Sequence, residues 1–201
     1  MIRLNKLMMA VVMLFLLSIL GCGDFSGPGS DDVKYTGMFF SVTSITPKDL
    51  DANTYDIDIL QDLCTGTPPK PEPFKDSTMA LVLSYAAAPS CANQACPALY
   101  LESYRVDFRS HDSHAIQLDS VSATLQSQML PGKTLTLDGI KLVPLYLKAF
   151  YIDSGGDQNV INGNIEIEYE VKVTVKAITE FGERVEAIGY TYVLLADFDN
   201  C

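Results

Sequence analysis

The stretch Ile165-Glu166-Ile167-Glu168-Tyr169-Glu170-Val171-Lys172-Val173-Thr174-Val175-Lys176 decides the fold class. Every odd position is apolar or aromatic and every even position is polar. That period of two matches a strand with one face in the core and one in water, and it does not match the 3.6-residue period of a helix. Thr179-Glu180-Phe181-Gly182-Glu183 then supplies a turn glycine, and 185–198 returns as a second β-rich segment. Residues 164–198 are therefore expected to form a β-hairpin.

Outward from this hairpin, the same reading places strands at 37–45, 54–60, 79–85, 100–109, 120–127, 134–137 and 142–152. Tyr55, Ile57 and Ile59 alternate with Asp56 and Asp58, and Tyr104, Val106 and Phe108 alternate with Arg105 and Asp107. Pro68-Pro69-Lys70-Pro71-Glu72-Pro73 and Asp153-Ser154-Gly155-Gly156-Asp157 are turn-like separators. A succession of strands with no helix after residue 21 predicts an all-β fold, a single antiparallel β-sandwich spanning 35–201. Pro144 is expected to put its strand at an edge or a bulge, because proline has no N–H for a central ladder. The closing pair of strands, ending on Leu195-Ala196-Asp197-Phe198, resembles the last hairpin of immunoglobulin-like or fibronectin-type sandwiches in bacterial surface proteins. The resemblance implies a fold and no activity.

The N-terminus reads differently. Arg3 and Lys6 precede an uncharged run from Leu7 to Leu20. These 14 residues would make a helix of about 21 Å, too short for a hydrocarbon core of roughly 30 Å and suited to a cleaved helical signal. The run ends at Ile19-Leu20-Gly21-Cys22, which resembles the lipobox of bacterial type II signal peptides. That resemblance implies a signal peptide over 1–21, a diacylglyceryl thioether on Cys22, and an acylated new N-terminus that attaches the protein to a lipid bilayer. Residues 22–34, rich in Gly, Ser and Asp, read as a flexible tether. Gly23 stands where enteric lipoproteins kept at the inner membrane carry Asp, so the outer membrane is the expected address.

Loss of 1–21 leaves 12 Lys+Arg against 25 Asp+Glu, a net charge of −13 on the mature chain. Such a surface repels phosphate backbones, which argues against nucleic acid as a partner, and it disfavours anionic headgroups. With Cys22 assigned to lipid, four cysteines remain, an even number that in an exported protein reads as two disulfides. Three pairings are open, and the favoured one joins Cys91 to Cys96 and Cys64 to Cys201.

Residue patterns for chemistry are sparse. His111-Asp112-Ser113-His114 holds both histidines of the chain, but on a β-rich protein it reads as a polar loop. Asp51-Ala52-Asn53-Thr54-Tyr55-Asp56-Ile57-Asp58 gathers hard oxygens, as does 153–159, where Asp153, Asp157 and Asn159 are candidate calcium ligands. Neither stretch follows the EF-hand spacing. Cys91 and Cys96 are not spaced as Cys-x-x-Cys, and Gly-x-Ser-x-Gly does not occur. Pro131-Gly132-Lys133-Thr134 ends like a phosphate-binding loop, but Ser127 stands where its first glycine belongs. No cofactor is implied. The expectation is a non-catalytic binding or assembly module with a protein partner in the envelope; the alternatives are a solute- or calcium-binding receptor and, behind it, a hydrolase.

Overall fold

The computed structural model describes residues 38–50, 52–65, 68–87, 96–162 and 165–198. The expected signal peptide, Cys22, the tether, Cys91 and Cys201 lie outside the described residues. Along the chain run β1 (Met38–Asp49), β2 (Ala52–Asn53), β3 (Asp56–Asp58), β4 (Leu63–Cys64), β5 (Lys70–Pro71), β6 (Ser77–Ala87), β7 (Leu99–Arg109), β8 (Val121–Met129) and β9 (Lys133–Val143). Helices α1 (Leu145–Asp153) and α2 (Gln158–Ile161) follow, and then β10 (Ile167–Thr179) and β11 (Arg184–Ala196).

The strands form a four-stranded sheet in the order β2-β1-β6-β9, a five-stranded sheet in the order β3-β11-β10-β7-β8, and the short pair β4-β5. The β10–β11 hairpin is as expected. Ile167, Tyr169, Val171, Val173, Val175 and Ala177 are buried, while Glu168, Glu170 and Lys176 are exposed. Each buried valine of this row contributes roughly 1.5–3 kcal/mol. The turn closes through Thr179 N–H to Glu183 O at 2.8 Å and Gly182 N–H to Thr179 O at 2.9 Å. Gly182 takes φ +84° there, a conformation that side chains disfavour.

Phe40, Leu81 and Leu83 of the four-stranded sheet and Val106, Val171 and Val173 of the five-stranded sheet belong to one buried hydrophobic cluster. The two sheets meet closely at Gly189 of β11, where a Cβ would stand 2.6 Å from Val42 Cγ1 and 3.0 Å from Ile45 Cδ1 of β1.

Strand pairing defines two ends. At the first, Met38 pairs with Ala87, Tyr85 with Lys133, and Leu99 with both Met129 and Thr179. The turn 130–132 carries the chain from β8 in one sheet to β9 in the other, so these positions share that end. At the second end lie Asp49, Ser77, Val143, Arg109, Val121, Ile167 and Ala196. A 12-residue strand such as β1 separates the ends by about 40 Å at roughly 3.3 Å per residue.

Three expectations are corrected. Residues 142–152 are not a strand: β9 ends at Val143 and α1 occupies Leu145–Asp153. A short apolar run has no period that separates a buried strand from a helix, and here Leu147, Lys148 and Tyr151 are buried with helical spacing. Pro144 accordingly sits at the N-cap of α1 with φ −72° and ψ 158°, where its missing N–H costs nothing, rather than within a strand. Finally, the pairing is not wholly antiparallel. β3 runs parallel to β11, with Ile57 opposite Leu195, because the chain crosses after β2 to the free edge beside the last strand.

Candidate functional site

The second end carries the buried charges. The chain turns after β1 through Leu50, whose φ of +46° is the one positive value among described non-glycine residues, and so brings Asp49 and Asp58 together. Asp49 Oδ2 accepts the Asp58 backbone N–H at 3.1 Å. Its Oδ1 accepts the Ser77 hydroxyl at 2.6 Å and faces Lys148 Nζ at 3.5 Å. Lys148, only 1% exposed, also lies over the Phe74 ring, 4.6 Å from its centroid. Burial lowers the pKa of this lysine, opposed by the nearby Asp49 and Asp58 carboxylates. Asp58, likewise 1% exposed, accepts the Leu60 N–H at 3.2 Å and the Phe198 N–H at 3.3 Å. Burial dominates there and pushes its carboxyl up to about 7, although those two N–H groups favour the charged form.

The cluster fastens α1 to β1, β3 and β6. Its first turn is held from outside as well: Asp76 accepts the Leu145 N–H at 2.8 Å and pairs with Lys141 at 2.7 Å. The hydrogen bond from Lys141 keeps Asp76 below the usual carboxylate range, with the Leu145 N–H assisting. A cleft of about 260 Å³ opens beside the cluster, lined by Asp49, Leu50, Ala52, Thr54, Asp56, Asp58 and Phe198. Tyr55, between Thr54 and Asp56 of that lining, stacks on Tyr192 of β11, with ring centroids 4.5 Å apart.

α1 buries Leu147 and Tyr151 beside Lys148 and still leaves apolar side chains in solvent. Tyr146 is 60% exposed, Leu145 40% and Phe150 38%. A surface helix ordinarily keeps its cations in water and its outer face polar; here the one cation is buried and both faces carry apolar side chains.

The sequence-predicted residues distribute as follows. His114 Nδ1 lies 2.9 Å from Asp112 Oδ1, and its Nε2 is 3.8 Å from Asp157 Oδ2. The backbone N–H of His114, with help from its ring, holds Asp112 below the usual carboxylate range. Asp157 caps α2 by accepting the Asn159 N–H at 2.7 Å. The Tyr151 hydroxyl is buried without a partner in hydrogen-bonding geometry, and burial first, then the charges of Asp157 and Asp112, pushes it up to about 12. Among the described residues, no group of three or more His, Cys, Asp or Glu is arranged to hold a metal ion. Cys64 and Cys96 both take part in disulfides.

Sequence reading missed Lys148, Asp49 and Ser77. A signal existed for the first: Lys148 is the lone charge in Leu145-Tyr146-Leu147-Lys148-Ala149-Phe150-Tyr151. Nothing local marks Asp49 or Ser77 as its partners. No protein-family model, curated protein or solved structure matches this chain.

Proposed function

We propose that this protein is a lipid-anchored binding module of the bacterial cell envelope, held at a membrane through acylated Cys22, with its β domain folded as a single immunoglobulin-like sandwich. The core shared by the two sheets supports the sandwich, and the lipobox-like Ile19-Leu20-Gly21-Cys22 supports the anchor. One observation carries the binding role: α1 turns its only cation into the protein and leaves Leu145, Tyr146 and Phe150 in water. Aromatic side chains on a rigid element are what the centres of protein interfaces use, so the partner is another envelope protein with an apolar surface. The role is read as non-catalytic, since Ser77 and Lys148 are buried out of reach of a substrate.

Photo-crosslinking in intact cells tests this. A benzoylphenylalanine at position 150 is expected to give a discrete adduct that is lost when Tyr146→Ser is added. Equal adduct formation from position 174, on the outer face of β10, would remove the assignment. A second reading, a receptor for a cationic solute or calcium, rests on Asp56 and Asp58 lining the cleft. Millimolar calcium would then raise the melting temperature, and an unchanged melt would dismiss it.

A further inference from the structure

The first end of the molecule, where β1 begins, has an unusual surface. The turn between β8 and β9 presents Leu130, 53% exposed, and the turn between β10 and β11 presents Phe181, 71% exposed. Such tips are ordinarily built from Gly, Asn, Asp and Ser. Phe39, 49% exposed, and Tyr100, 43% exposed, flank them on the outward faces of β1 and β7. Met38 begins the described chain at this same end, sixteen positions after Cys22.

We infer that this end rests on the lipid bilayer, with Phe181 and Leu130 entering the interfacial layer and Phe39 and Tyr100 at its rim. The inference rests on the proposed anchor at Cys22. Sixteen residues can extend at most about 55 Å, so acylation keeps the domain within roughly its own length of the membrane. The anchor leads into the end with the apolar turn tips; the other end also exposes apolar side chains on α1, but it lies beside an acid-lined cleft and away from the anchor. Aromatic and aliphatic side chains settle at the boundary between headgroups and acyl chains without needing basic residues, which suits an acidic domain on uncharged lipid. The orientation would hold α1 away from the membrane and open to a partner.

The chain contains no tryptophan, so one substitution creates a unique fluorophore. The full-length lipoprotein, purified from membranes and reconstituted into phosphatidylcholine vesicles, would carry Phe181→Trp, Leu130→Trp or, as the control at the other end, Tyr146→Trp. With bromine on the acyl chains, emission of the first two is expected to shift to the blue and be quenched, and that of the control to stay unchanged. Either tip variant suffices should the other fail to fold. Vesicle-bound protein whose tip fluorophores are unquenched, or whose control is quenched as strongly, overturns the inference while leaving the anchor standing. Failure of the protein to float with the vesicles overturns the anchor and the inference together.

Discussion

At Asp58 a single carboxyl links the cleft to the stability of the fold. Its pKa rises from 3.8 to about 7 on folding, chiefly through burial. Between those values the folded chain binds the proton that the unfolded chain releases, so this group's contribution is full below pH 4 and lost as pH climbs towards 7. The loss amounts to about 4 kcal/mol, at 1.36 kcal/mol per unit. Asp58→Asn keeps an oxygen for the Leu60 and Phe198 N–H groups. Urea melts from pH 4 to 8 are expected to show a flatter profile for this variant; an unchanged slope would contradict the assignment. Lys148 makes the complementary case. Lys148→Met leaves Asp49 buried without its countercharge and is expected to cost about 3–5 kcal/mol at pH 7, read by chemical denaturation.

Among the elements, β10 and α1 show what could be read in advance and what could not. The alternation from Ile167 to Lys176 predicted which side chains are buried because a strand's faces repeat every two residues. The segment 142–152 offered no such period. It is apolar nearly throughout, and its helical state depends on Asp76 and Asp49, which are remote in sequence and hold its first turn and its lysine. Asp49 and Lys148 stand 99 residues apart, so the charge cluster was invisible to any local pattern. Gly189→Ala would press a methyl into Val42 and Ile45 and should destabilise by about 1–3 kcal/mol, measured as a lower urea midpoint. A neutral result would mean that β1 can move away from β11 without loss.

For the whole molecule, the all-β class with mainly antiparallel pairing was legible from the sequence. The grouping into ends was not, because it depends on which strands pair and on the β8–β9 turn that passes from one sheet to the other. That grouping separates an end with apolar turn tips, next to the start of β1, from an end bearing the buried charges and α1 with its own exposed Leu145, Tyr146 and Phe150. If the proposed anchor holds, one end would face the membrane and the other would stay open to a partner. Metabolic labelling with an alkyne fatty acid decides whether Cys22 carries the lipid. The wild-type protein is expected to take the label and fractionate with membranes, and Cys22→Ser to do neither. Label retained in Cys22→Ser, or a wild-type protein that carries none, would contradict it.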